Sequence, residues 1–351
     1  MGGDHAPLMV IEGLEIAAER HPGARFLLIG DEAKLAPLLQ THRRAAAACS
    51  IRHASEVIGN DMKPTTALRV RGSSMRIAID AVASGEASGV VSAGNTGALL
   101  TLAKIVIKTL PGIERPAMAA IGPSARGDVV LLDLGANVQC DVRNLVEFAV
   151  MGDVFARTVL GLTAPSIGLL NVGSEELKGD DTLRLAAETL RASHIAPQFV
   201  GFVEGHDIAA GTTDVVVTDG FTGNVALKTG EGALKLIGDL LRQVFRSSLS
   251  ARIAYLLMRP SLERLREWLD PRRYNGAVML GLNGVVVKSH GGTDAQGFAH
   301  AMDVAMDMVV HRFNEHIRED LTRIAGLMAL AAKNGVQDKE GGSGARLATA
   351  P

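Results

Sequence analysis

The strongest constraint in this sequence is a recurring unit: a short aliphatic run, a Gly-rich polar turn, then a longer stretch with helical spacing. The runs fall at 25–30 (RFLLIG), 89–92 (GVVS), 129–133 (VVLLD), 167–171 (IGLLN), 198–202 (QFVGF) and 214–218 (DVVVT). Apolar runs without polar alternation describe strands covered on both faces. Helical patterns lie between them at 96–108, at 142–159 behind an Asp141 cap, at 182–191 and at 229–245. This order predicts an α/β fold: a doubly wound, mostly parallel sheet in three α/β/α layers with right-handed crossovers. There is no internal sequence repeat. One α/β domain is expected over 1–332, and the polar, aperiodic, Gly-rich stretch 333–351 is expected to be a disordered tail.

Composition narrows the function. Lys and Arg number 36 against 38 Asp and Glu, so overall charge gives no case for a nucleic-acid partner. Two cysteines, Cys49 and Cys140, without a CxxC pair, support neither a disulfide framework nor a Cys-based zinc site, and they read as small core residues. The opening MGGDHAPLM lacks the charged and apolar regions of a secretory signal, and no apolar run of about 18 residues occurs. A cytoplasmic protein is expected. No GxGxxG follows a strand and no Gly-Lys dipeptide occurs, which removes the motif basis for dinucleotide and Walker-type nucleotide binding. HExxH and GxSxG are missing as well, so zinc proteolysis and nucleophile-elbow hydrolysis have no motif.

One segment departs from the strand-helix rhythm. Residues 240–273 hold eight arginines against three acids, with apolar residues at helical spacing and Pro260 interrupting them. They read as an amphipathic helical hairpin in which Pro260 turns the chain. Ile253, Tyr255, Leu256, Leu257 and Met258 would insert into an anionic bilayer beside the arginines, the alternative being a packing surface between protomers.

Ligands of open α/β sheets bind beyond the carboxyl ends of the strands, and the polar residues concentrate there. One loop, Ser92-Ala93-Gly94-Asn95-Thr96-Gly97, enters a helix, where glycines and free amides favour an anion. A second carries Asp133 and Asn137. A third runs through Gly173 and Ser174 to Lys178, a flexible point charge before a glycine. A fourth, Asp219-Gly220-Phe221-Thr222-Gly223-Asn224, enters another helix with Lys228 a turn on, and a weaker fifth, Lys288 to Asp294, contains His290. Each loop alone reads as an ordinary turn. Together, at matching strand ends, they point to one shared anion site that also draws on Asp4 and His5.

The segments MGGDHAP, SAGNTGAL, LLDLGANV, LLNVGSEELKG and VVVTDGFTGNVALKT come in order along nearly the whole chain. They resemble the bacterial phosphate acyltransferases of phospholipid synthesis. The resemblance implies an isocitrate/isopropylmalate dehydrogenase-like fold related to phosphotransacetylase. It implies conversion of acyl-acyl carrier protein and inorganic phosphate into acyl phosphate, by a homodimer without a metal or nucleotide cofactor, held peripherally on the inner face of the plasma membrane, with a glycerol-3-phosphate acyltransferase as possible downstream partner. On the matched positions, Lys178 would neutralise phosphate or a developing oxyanion. Asn95, Thr96, Asn137 and Asn224 would donate hydrogen bonds. Asp4, His5, Asp133 and Asp219 would orient donors or manage protons, and Arg69 and Arg71 would meet the carrier protein. Rival readings are a phosphotransacetylase-like enzyme using acyl-coenzyme A and a non-catalytic membrane scaffold. Members of the resembled family carry a short apolar strand ahead of MGGDHAP, whereas this chain begins at that methionine, so an added strand is expected to raise stability.

Overall fold

The computed structural model describes residues 1–193, 195, 198–320 and 322. The stretch 333–351, expected to be a disordered tail, lies outside them, as does the end of the expected domain. Ten strands occur among the described residues: β1 (Phe26–Gly30), β2 (Cys49–His53), β3 (Gly89–Ser92), β4 (Ala117–Ser124), β5 (Gly127–Leu132), β6 (Ile167–Leu170), β7 (Phe199–Val203), β8 (Val215–Val217), β9 (Ala277–Leu280) and β10 (Val285–Lys288). β1 and β2 form a small parallel sheet, and the other eight form a central sheet in the order β3-β10-β9-β4-β5-β8-β6-β7. The six expected strands are all present. The other four, β2, β4, β9 and β10, were not among the expected strands.

The protein is therefore α/β with a mostly parallel central sheet, but the antiparallel strands within it have consequences. β9 pairs antiparallel with β10 and with β4, and β4 pairs antiparallel with β5. Each antiparallel step reverses direction, and three in succession leave β3 and β10 running opposite to β5, β8, β6 and β7. One row of residues crosses the middle: Val91, Val287, Val278, Ala119, Leu132 and Val217 are partners in successive pairs.

Helices cover both faces. The largest cluster packs Phe148, Phe155, Met151 and Val154 of the helix Val142–Val159 on one face against Leu132, Val217, Val278 and Val287. Asp141 begins that helix as expected, accepting from Asn144 N while Asn144 Oδ1 accepts from Asp141 N. On the other face, Ile79, Leu99 and Leu102 pack with Val286 and Met279 at one end of the sheet, and Leu131, Leu170 and Val216 pack with Leu134 and Val203 at the other. Met118, Ala120, Gly122 and Ala277 remain partly exposed on that face, Met118 and Ala120 packing along the border of the second patch. They floor a strip of sheet along β4 and β9. Met1 lies against Gly30 at the end of β1 and Gly2 against Gly94 after β3, so the first residues bridge the ends of the two sheets.

The 240–273 segment folds differently from its expected form. One helix runs unbroken from Gly220 to Arg246, a second spans Leu249–Trp268, and the chain reverses at Ser247 and Ser248, where the Ser248 hydroxyl caps Ala251 N. Pro260 sits inside the second helix instead of ending the first. A serine cap starts a helix locally, whereas a proline removes a single N–H from an exposed helix already held by its neighbours. Phe245 meets Tyr255 edge-on at 5.4 Å, and Leu236, Ile237, Leu240, Val244, Ile253, Leu256, Leu257 and Met258 are all exposed. No described helix is long and apolar enough to cross a membrane.

Candidate active site

Asp133, 0% exposed, follows β5 and organises the loop around it. Its Oδ1 accepts from Met118 N at 2.9 Å, Gly135 N at 3.1 Å and Ala136 N at 2.9 Å, and its Oδ2 accepts from Asn137 N at 2.7 Å and Asn137 Nδ2 at 2.9 Å. Burial pushes the carboxyl pKa upward while these donors pull the other way, burial being the larger effect. The helix Gly220–Arg246 starts directly on this loop. Gly220 N donates to Asn137 O at 2.7 Å, and Asn224 Nδ2 donates to Leu134 O at 3.0 Å. A Cβ on Gly220 would lie 2.5 Å from Asn137 O, and one on Gly223 would overlap the Asp133 carbonyl oxygen, so only glycine permits this approach. Asp219 caps the helix through Thr222 N and holds the Thr222 hydroxyl, both at 2.8 Å. Lys228 is exposed one turn further on.

After β6, Asn171 closes the third loop by donating to Lys178 O at 3.1 Å and accepting from Val172 N at 2.8 Å. Gly173 is buried beneath Glu175 and the Lys178 stem, while Ser174 and Lys178 are exposed. These three loops share one edge of the sheet.

The remaining candidates stand at the opposite edge, after β3 and β10. Asn95 caps the helix Thr96–Val106 through Ala98 N at 3.0 Å, and its amide donates to Gly59 O, Asn60 O and Met62 O at 2.8–3.2 Å. Gly94 is buried against Met75, Gly97 packs beside Pro64, and Thr96 is exposed. Asp4 N donates to Gly291 O at 2.8 Å, and Asn60 Nδ2 reaches Asp4 Oδ1 at 3.4 Å. His5 is exposed, and His290 accepts from Gly292 N at 3.1 Å. Arg69 and Arg71 are exposed beyond the 59–62 loop that Asn95 holds.

Two expectations need correction. The loops do not cluster at matching strand ends, because β9 and β4 reverse the sheet between them. The side-chain amides of Asn95 and Asn137 are both engaged by protein acceptors, Asn137 Nδ2 also donating to Pro116 O at 2.8 Å, so they shape loops instead of facing a ligand. Lys288 lies one residue beyond the central row, so strand alternation sets it on the face opposite Val287, beside the strip that Ala277 and Ala120 border. Asp133 lies one residue past the row at the other end, and its carboxylate is enclosed by its own loop and by Met118 N. Their backbones are separated by roughly 15 Å, three strand spacings sideways and two residues along. Sequence reasoning passed over Asn60, which lies in a loop without a glycine-rich signature, and named Lys288 only as the start of the weaker fifth loop, with no role of its own, because β10 went unrecognised. Among the described residues no group of three His, Cys, Asp or Glu is arranged to hold a metal ion.

This fold is shared with phosphotransacylases. The structure is similar to a phosphotransacetylase from Streptococcus pyogenes (TM-score 0.56, 19% identity, 85% of this chain and 91% of that one). It is also similar to a branched-chain phosphotransacylase from Enterococcus faecalis (TM-score 0.50, 15% identity, 88% and 97%). At the sequence level, a family profile described as "Fatty acid synthesis protein" matches residues 1–316. The phosphate acyltransferase of Granulibacter bethesdensis is 70% identical over 97% of this chain and 92% of its own length, and that of Acidiphilium cryptum is 72% identical over 95% and 87%. The chain belongs to the phosphate acyltransferase family of fatty acid synthesis proteins and is a transferase.

The glycine contact at the helix start is open to test. Gly223→Ala is expected to lower stability by about 1–3 kcal/mol, the usual cost of forcing atoms into a packed site. A melting temperature equal to wild type would show that the loop yields without cost.

Proposed function

We propose that the protein transfers an acyl group from acyl-acyl carrier protein to inorganic phosphate, giving acyl phosphate and free carrier protein. A phosphate oxygen attacks the thioester carbonyl carbon, the carbonyl oxygen takes up negative charge, and the carbon–sulfur bond breaks to release a thiolate that is protonated to the carrier thiol. No enzyme group becomes acylated, so the protein's task is to hold the two reactants together and stabilise the oxyanion. What carries this reading is 70% identity to a phosphate acyltransferase over 97% of the chain, in a fold whose polar loops flank a strip of small residues on β4 and β9. A thioester on a long carrier arm has the reach to span that strip. Asp133 and Asp219 act in this scheme by fixing loop and helix start, Lys178 by supplying positive charge from its exposed loop, and Arg69 and Arg71 by meeting the acidic carrier.

Incubation with acyl-acyl carrier protein and labelled phosphate, and in parallel with acyl-coenzyme A, tests the proposal. Acyl phosphate is expected with the carrier protein, and its formation from acyl-coenzyme A alone would overturn that choice of donor. Lys178→Ala is expected to lower turnover by about 10²–10³-fold with the fold intact. Wild-type turnover in the variant would leave Lys178 as a solvated surface charge.

The helix pair 220–268 supports peripheral attachment to an anionic membrane. Leu257 is 79% exposed beside Leu256, and Arg252 and Arg259 flank that apolar tip on the same helix. Apolar insertion with flanking arginines is the pattern of a helix lying in the interface. A homodimer formed through the same face is the competing arrangement. Leu257→Glu is expected to abolish flotation with anionic liposomes while the protein keeps its oligomeric state. Undiminished flotation removes the insertion idea, and conversion to a monomer favours the packing one.

A further inference from the structure

Lys288 is buried to 8% exposure at the end of β10, in a position where burying a charge is costly unless it has a purpose or a partner. Its Nζ donates to the adjacent Ser289 carbonyl, and among the described residues it makes no ion pair within 4.0 Å. Cross-strand pairing sets Lys288 beside Ala277 of β9, and Ala120 of β4 continues the same row one residue past the Ala119–Val278 pair. Ala277 and Ala120 are both small and partly exposed, so they leave lateral room for a long side chain at the edge of the strip. The neighbouring loops bring Asp4 close enough to act on the ammonium electrostatically, and Asp4 is itself held by the Asn60 amide and by the Gly291 carbonyl.

We propose that Lys288 is the cation that binds the transferred phosphate at the edge of the strip formed by the β3 and β10 loops, with Asp4 as its positioning residue. This rests on the phosphate acyltransferase reading and deepens it: phosphate is held on the Lys288 side, and Lys178 is left to the opposite loop group. A phosphate dianion supplies the counter-charge that the protein does not place in contact with Lys288. The ammonium swings from the Ser289 carbonyl toward the ligand, a motion the two alanines permit.

The titration of this group gives a signature that a packing role lacks. Burial lowers Lys288 to about 8, and the Asp4 carboxylate opposes that shift. On the elements packed against β10, His300, Asp303 and Asp307 belong to a helix on the opposite sheet face, and Lys104 lies at the far end of the helix that Asn95 caps. Phosphate affinity therefore falls as pH rises through about 8 and the ammonium loses its proton.

The experiment titrates the full-length protein with inorganic phosphate alone, by calorimetry, at about pH 7 and about pH 9, on either side of the Lys288 transition. Wild type is expected to bind phosphate and to weaken at the higher pH. Lys288→Gln is expected to bind at least about tenfold more weakly at the lower pH, the loss of one charge-assisted contact, with a melting temperature no lower than wild type. Lys288→Arg, which keeps its charge at both pH values, is expected to bind without the high-pH decline. It carries the comparison should Lys288→Gln fail to fold. Equal affinity and pH dependence in wild type and Lys288→Gln, a wild-type decline in Lys288→Arg, or absence of phosphate binding by wild type overturns the assignment. Because the readout is binding, a failure of acyl phosphate formation would count against the proposed reaction and leave this result standing.

Discussion

The rest of the site depends on one buried carboxylate. Asp133 gathers five N–H groups from Met118, Gly135, Ala136 and Asn137, more than a carboxylate needs for neutral satisfaction and enough to keep its loop tightly wound. The bond to Met118 ties the loop to the central β4. The bonds to Asn137 fix the residue whose carbonyl receives Gly220, and hence the start of the helix that follows β8. Removing the carboxylate would leave several buried donors unpaired at once, a larger penalty than losing any single bond. The glycines at 220 and 223 are the steric counterpart of this arrangement.

Much of the architecture was legible in the sequence because strands buried on both faces must be written in aliphatic residues. Thus 89–92, 167–171 and 214–218 were recoverable almost to the residue, as was the capped helix at Asp141. β4 was not, since AMAAIGPS is small, contains a proline and has little strand propensity. β9 and β10 were missed for a different reason: β10, VVVK, is as β-branched as β8, but the two form a hairpin with no helix between them and so fall outside the strand-helix rhythm. With those strands went the direction of the sheet, and direction decides which loops stand together. The residue types of the candidate site were readable, but their grouping was not. Asn95 and Asn137 looked like free donors because a sequence shows an amide's capacity and conceals its partners.

The reversal at β9 and β4 need not separate the two groups of loops functionally. Short strands bring the ends of oppositely directed neighbours to within two residues of one central row, so the Asp133 loop and Lys288 stand about three strand spacings apart. Small residues on β4 and β9 keep the strip between them open. The same alanines that obscured β4 in the sequence are what give the strip its depth.

The helix Gly220–Arg246 has 27 residues, and at 1.5 Å per residue it is a rod of about 40 Å. Its first turn is wedged against the Asp133 loop, and its last turns carry the apolar side chains that lead into the second helix. Such a rod has a fixed phase. Deleting one residue between Lys228 and Leu240 would rotate everything beyond it by about 100° relative to the wedged end, and the apolar face would look in a new direction. The segment can vary in composition, yet it tolerates changes of length only in whole turns.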